Sequence, residues 1–453
     1  MPYRALLKQS IALSFITLSA CTTFSAKQDY AALPQHDLQQ VEGWQTLADS
    51  TQVSYLTDLF NSPAVDDLLQ RAFADNPSLQ QTLITLDIYQ AQLKQTSAQQ
   101  RPQINAGLNV NNKENSDTSY SSSLSISWQA DVWGKLKDST SAAQLDISEQ
   151  QYLFQAAKNS LAANIMQSWL SLISQQRDID IQQQRVETLS KNEAFIIQRY
   201  RNGLGSLEDL DSARSSFASA QATLIAKQES YQQQLRSLKT LVGQLSSLEI
   251  TIPEDFPTVK LSMAGIAKQD LAKRPDLIAA YSAIEAASLR SKVAYKDLLP
   301  SFSLEAMLED IASSPRDALF VSPVWSLLAQ LTAPLYQGGE LRAAAEIAEL
   351  QTASDYQQYR EILLNAVTEV ENAIGQEKSL SQQHIYIQSA LASTENNLQQ
   401  YQQNYRTGLV DILDLLSIQQ QSYDLAAQLN SITLELLSNR ISLGLALGLE
   451  IKQ

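Results

Sequence analysis

The sequence predicts a mainly α-helical protein with a small amount of membrane β-structure: a tandem repeat of long antiparallel helices plus four β-strands. Three observations predict it. RYRNGLGSLEDL at 199–210 and NYRTGLVDILDL at 404–415 share six of twelve positions at a constant offset of 205. Stretches of more than sixty residues run almost without glycine or proline. Four short segments alternate apolar and polar residues with a period of two.

The repeat extends well beyond the twelve residues. Gly203 pairs with Gly408 and Gly243 with Gly448 without a gap, while Asn76-Pro77 pairs with Arg274-Pro275, and Pro102 with Pro300, at an offset of 198. The chain of 453 residues therefore divides into two copies of one unit, at 63–258 and 259–453, with a proline-containing linker near 244–274. A period this long is not that of a solenoid of small repeats.

The N-terminus reads as a leader. Residues 1–20 carry Arg4 and Lys8, then an apolar run too short to span a bilayer, which marks a cleaved secretory signal. Ser19 and Ala20 before Cys21 resemble a bacterial lipobox, in which the cysteine is acylated and becomes the first mature residue. Cys21 is the sole cysteine, so an internal disulfide is excluded and attachment is the chemistry left to it. The expected mature chain begins with a lipidated segment at 21–62.

Residues 135–202 and 206–242 lack glycine and proline; 340–407 contains only Gly375, and 409–443 contains neither. Rich in Ala, Leu, Gln and Glu, these stretches predict long helices over about 135–243 and 339–448. At 1.5 Å per residue the longest would reach roughly 100 Å. Leu161, Ile165, Trp169, Leu172, Ile179 and Val186 form one apolar seam, and Leu425, Leu429, Ile432, Leu436 and Leu443 another. The spacing is that of coiled-coil packing, and the narrow stripe predicts a single helical layer wet on at least one side.

Strands are predicted at about 103–130 and 301–334. Ile104, Ala106, Leu108 and Val110 alternate with Asn105, Gly107, Asn109 and Asn111. Tyr120, Leu124, Ile126 and Trp128 share a face, with the serines assigned to the other. Phe302, Leu304, Ala306 and Leu308, then Trp325, Leu327, Ala329, Leu331 and Ala333, supply the second repeat's faces. Alternation over about ten residues suits a membrane barrel strand, although a half-buried soluble hairpin shares it. Four strands cannot close a barrel, and lipid does not tolerate an open edge. If they span a membrane, several chains share one barrel, with two chains giving eight strands and three giving twelve.

Composition excludes other classes. The formal charge is −15, from 33 basic and 48 acidic residues, which argues against a nucleic-acid partner. His36 and His384 have no companion ligand at metal-binding spacing, the four methionines are dispersed, and no phosphate loop or nucleophile elbow occurs. The sequence predicts no enzyme, and no cofactor beyond a covalent lipid on Cys21.

Taken together, Cys21, NPSL (76–79), RPDL (274–277), WQADVWGKL (128–136), PLYQGG (334–339) and the paired YRxGL turns resemble the TolC-like outer-membrane factors, in the lipoprotein branch typified by NodT and OprM. The resemblance spans essentially the whole mature chain. It departs at Gln129 and Ala130, where the family usually has Glu and an aliphatic residue, and at Glu305, where glycine is common. It implies a homotrimer with a 12-stranded β-barrel in the outer membrane and a periplasmic α-barrel. The implied function is the exit duct of a tripartite efflux system, passively conducting small molecules delivered by a periplasmic adaptor and an inner-membrane pump.

The resemblance also implies site roles. Gly203, Leu204, Gly408 and Leu409 would form the periplasmic tips that meet the adaptor. Asp209 and Asp414 match pore-constricting carboxylates, with Asp411 one turn earlier than Asp414 on the same helix, and Arg201, Arg406 and Tyr405 as candidate partners holding the gate. An acid in a first helical turn also simply favours the helix dipole. Ser417 stands where the family places a further carboxylate. Two other readings are a duct for secreted polypeptides and a lipid-anchored periplasmic coiled-coil scaffold, the second leaving the four strands unexplained.

Overall fold

The computed structural model describes residues 28–44, 53–114, 117–245, 250–261 and 268–452. The leader and Cys21 lie outside the described residues, as does part of the linker. The chain runs α1 (Leu33–Gln40), α2 (Pro63–Asp75), α3 (Pro77–Ala98), β1 (Gln103–Asn111), β2 (Ser119–Ala130), α4 (Lys135–Arg201) and α5 (Leu207–Val242). It continues with α6 (Pro275–Lys296), β3 (Ser301–Ala312), β4 (Val324–Thr332), α7 (Glu340–Arg406) and α8 (Ile412–Ala446). From α3 onward the second repeat reproduces the first element by element. Helices α4 and α7 are each 67 residues long. Nothing in their sequences interrupts the backbone ladder, and α4 starts where the Asp131 carboxylate accepts from Leu136 N at 3.0 Å and Lys137 N at 2.8 Å.

The chain forms two compact units, each drawing on both repeats. One contains Tyr89–Ser148 and Ala280–Tyr359; the other contains Asp37–Ile88, Glu149–Ala279 and Arg360–Gln453.

The first unit holds one antiparallel sheet of order β1-β2-β3-β4. Its central pairing, β2 with β3, joins the two repeats. Register places Ala106, Leu124, Leu308 and Trp325 in one row, and Ile104, Ile126, Ala306 and Leu327 in the next. All four alternating apolar series thus meet on a single face, which is largely exposed except where the β3–β4 connection crosses it. Leu108 is 75% exposed, Trp325 76% and Leu327 68%. The opposite face carries Asn105, Ser125, Ser127, Glu305, Glu309 and Gln330. One expectation needs correction. Ser122 pairs with Asp310 and shares the apolar face rather than the serine face; both are buried. They are tolerated there because the β3–β4 connection folds over them and hydrogen-bonds to both. Strands β1 and β4, nine residues each, are the unpaired edges.

In the second unit the helices are joined side by side in the order α5–α4–α8–α7. Gln182 donates to Ala220 O at 2.8 Å, and Lys227 pairs with Asp178 at 2.8 Å, across α4 and α5. Asn430 donates to Ser174 O and to Asp178 Oδ1, both at 2.8 Å, across α8 and α4. Arg440 reaches Glu377 at 2.9 Å across α8 and α7. The expected seam residues Leu161, Ile165, Trp169, Leu172 and Ile179 are buried, as are Ile432, Leu436 and Leu443. The densest core gathers Trp169, Leu170 and Ile173 of α4 with Leu238 and Val242 of α5, Ile441 of α8 and Leu68 and Ala72 of α2. Among the described residues, no helix is long and apolar enough to cross a membrane.

Candidate functional site at the paired turns

The two YRxGL stretches close the α4/α5 and α7/α8 pairs with one backbone design. Gly203 N donates to Tyr200 O at 3.0 Å and Leu204 N to Arg199 O at 2.9 Å; Gly408 N donates to Tyr405 O at 3.1 Å and Leu409 N to Asn404 O at 2.9 Å. Each is a Schellman closure, and it needs a left-handed residue. Gly203 and Gly408 supply it with φ of 73° and 75°. In such a motif the following apolar residue commonly packs back on the helix. Leu204 and Leu409 instead remain 67% and 76% exposed.

The helices that follow are capped on their acidic residues. Ser206 Oγ accepts from Asp209 N at 3.0 Å, while Asp209 Oδ2 accepts from Ser206 N at 3.2 Å, a complete capping box. These bonds to Ser206, with the Arg199 charge nearby, hold the Asp209 carboxyl below the usual aspartate range. In the second repeat Asp411 is not a turn inside the helix of Asp414, as expected, but lies just outside α8 as its N-cap in extended backbone, accepting from Ile412 N at 2.5 Å. Asp414, the counterpart of Asp209, is exposed and makes no hydrogen bond or ion pair among the described residues. One carboxylate of the repeated pair is engaged and the other is free.

Tyr405 is half-buried, its ring edge-on to Phe195 with centroids 6.1 Å apart. Burial raises its pKa, Arg199 lowers it and Asp411 raises it again. Arg201 and Arg406 are exposed and form no ion pair among the described residues. The arginine that the fold brings to this place is Arg199, which donates to Leu204 O at 3.1 Å. Sequence comparison passed over it because Asn404 occupies its place in the second repeat.

Behind the turns, α4, α5 and α8 enclose a cleft of about 390 Å³ lined by Leu189, Ile196, Asp209, Leu413, Leu416 and Ser417. Arg185 stands at this cleft, ion-paired with Asp424 and lying over the Tyr423 ring at 5.6 Å. No sequence motif marks that pairing. Among the described residues there is no group of three His, Cys, Asp or Glu side chains able to hold a metal ion.

A sheet with one largely bare apolar face, together with paired long helices closed by exposed leucines, defines the class of channels built from a β-barrel and a helical barrel. The chain belongs to the outer membrane efflux protein family, whose model matches residues 68–244 and 266–449, one segment per repeat. It is similar to the cation efflux system protein CusC of Escherichia coli, 26% identical over 451 residues, covering 96% of this chain and 98% of the relative. It also resembles the pyoverdine export outer membrane protein OpmQ of Pseudomonas putida, 24% identical over 456 residues, covering 96% and 95%. In fold it matches the open state of the Neisseria gonorrhoeae MtrE outer membrane channel, with a TM-score of 0.80 at 22% identity, over 90% of this chain and 96% of that one. The chain is an outer-membrane efflux channel protein and not an enzyme.

Proposed function

We propose that three copies of the chain close into one duct, the exit conduit of a tripartite efflux system that passively passes small molecules from a periplasmic adaptor and inner-membrane pump to the exterior. The observation that carries this reading is the sheet. Its apolar face is largely bare and both edges, β1 and β4, are unpaired at equal length. Lipid accepts such a face and rejects such edges. Edge-to-edge closure of three copies, β4 on the next copy's β1, gives a barrel of twelve antiparallel strands with the Asn, Ser and Glu face inside.

The same closure repeats the Schellman turns six times. Leu204 and Leu409, too exposed to be cap contacts, are then the docking points for the adaptor. Asp414 and Asp209, one from each turn, supply a ring of carboxylates whose mutual repulsion is relieved by cations or by arginines, and Arg199 joins Arg201 and Arg406 among these. Acylation of Cys21 adds an anchor to the outer-membrane lipid. CusC and OpmQ are named for the export of cations and of pyoverdine, which favours small solutes over polypeptides as cargo.

Reconstitution in a planar bilayer tests the duct. Discrete single-channel conductance steps support it, and a protein that binds vesicles but conducts neither as wild type nor as Asp414→Ala would refute it.

A further inference from the structure

We propose that the β3–β4 connection, residues 313–323, is an outer-leaflet strap: it seals a polar gap in the lipid-facing band and offers Leu319, Phe320 and Val321 to the acyl chains in its place. This rests on the barrel reading above. On the apolar face, the rows from Phe302 through Leu304 and Ala306 to Leu308 are unbroken in β3, and their β2 and β4 partners include Trp128, Ile126, Leu124, Leu331, Leu327 and Trp325. The six steps from Phe302 to Leu308, at about 3.4 Å each, span roughly 20 Å along the strand. Tilt shortens that height further, whereas the apolar band of a membrane barrel is about 25 Å tall. The next row, Ser122 with Asp310, therefore falls within the band, where an uncovered carboxylate and hydroxyl are intolerable.

The strap covers that row. Ser122 Oγ donates to the Ala318 carbonyl, and the Asp310 carboxylate accepts from Ser322 N at 2.9 Å. Ser122 is left 1% exposed and Asp310 5%. The strap is itself ordered: Ser314 Oγ donates to Asp317 Oδ2 at 2.7 Å, and Ala318 N donates to Ser314 O at 3.2 Å. Phe320 holds φ of 58°, a conformation that a bulky residue adopts only when its surroundings impose it.

Three consecutive apolar residues then face outward, Leu319 at 60%, Phe320 at 42% and Val321 at 66% exposed. Two features choose lipid over a second copy as their partner. The strap's pins lie on β2 and β3, the middle of the sheet, away from the β1 and β4 edges where copies would join. It also continues the face that lipid already covers. The strand ends it caps are those away from the connections into α3, α4, α6 and α7, so on the duct reading the leaflet is the outer one.

The test uses full-length protein with Cys21→Ala, bearing either Leu319→Cys or Leu327→Cys labelled with an environment-sensitive fluorophore, in vesicles containing brominated lipid. Leu327 lies mid-band and reports the barrel itself. Lipid quenching at both positions, with loss of iodide quenching at 319, is the expected result. Lipid quenching at 327 with iodide quenching at 319 overturns the strap alone; no lipid quenching at 327 overturns the barrel and the strap with it. Adding Asp310→Ala should return iodide quenching to the 319 label and leave the 327 label unchanged. An unchanged 319 label would refute the pin.

Discussion

Asn76 Nδ2 donates to the Leu241 carbonyl at 2.8 Å, and the second repeat makes the same bond with a different residue, Arg274 Nη1 to the Ala446 carbonyl at 2.9 Å. Each donor precedes the proline that starts a helix, and each acceptor lies in the last turn of the helix pair's return limb. Asn76 also accepts from Leu79 N at 2.9 Å, so it caps α3 while fixing the end of α5. Arg274 is buried and does more, reaching Glu369 at 2.8 Å and Asp276 at 2.7 Å. Burial opposes its charge, and these two carboxylates outweigh burial, so its pKa is raised.

Removing either donor should loosen its own repeat. Asn76→Ala leaves the Leu241 carbonyl and the Leu79 amide short of a partner and should cost about 1–3 kcal/mol. Arg274→Ala removes the buried guanidinium's bonds to the Ala446 carbonyl, Glu369 and Asp276, and should cost more than the Asn76 change even though the two carboxylates left behind reach water. Thermal loss of helical circular dichroism in detergent would order the variants as wild type, Asn76→Ala, Arg274→Ala. The reverse order of the two variants would contradict the assignment.

Gly243 and Gly408 both have positive φ, yet only one is crowded. A Cβ on Gly243 would sit 2.3 Å from Asp75 O, whereas one on Gly408 meets nothing within 4 Å. Gly408→Ala should cost only the backbone term, about 1–2 kcal/mol, and Gly243→Ala clearly more. Comparing the melting of the two variants checks this, and equal losses would argue against close packing at the helix end.

The free Asp414 and the engaged Asp209 should respond differently. Asp414→Ala should raise the closed-state current in a bilayer with no more than the small loss of helix stability that a first-turn acid supplies, and an unchanged current would count against a gate there. Asp209→Ala should instead fray the start of α5, seen as faster amide exchange over 207–210. Because the folded-state pKa of Asp209 is depressed, its cap bond contributes fully above the unfolded aspartate value near about 4. That contribution is lost as pH falls through the lower folded value. Acid should therefore reproduce the Asp209→Ala exchange pattern in the wild type, and neutral pH should not.

At the tips, Leu204→Asp with Leu409→Asp should abolish export in cells while assembly and bilayer conductance stay at wild-type levels, since both side chains are exposed. Export retained by the double variant would remove these leucines from docking.

The sheet was legible because alternation at a period of two, as in Ile104 to Val110, can be read from one strand alone. So were the turns, since a glycine repeated at a fixed offset points to a shared backbone need. Ser122 was misplaced because composition assigned serines to one face, whereas pleat parity and a covering strap decide the matter. Arg199 and Arg185 were missed for a related reason. Arg185 meets Asp424 across 239 residues, and Asn430 meets Ser174 across 256. Such pairs depend on the phase and register of long neighbouring helices, which a polar face rich in Gln and Ser does not disclose. Asp414 and Asp209 looked alike in sequence, and only side-chain geometry separated the free carboxylate from the capping one.

The native mass of the detergent-extracted protein, corrected for bound detergent, tests the central claim most directly. Three chains per particle is the result this account predicts. A monomer that stays folded and soluble without detergent would contradict it, because no single chain can close the edges of β1 and β4.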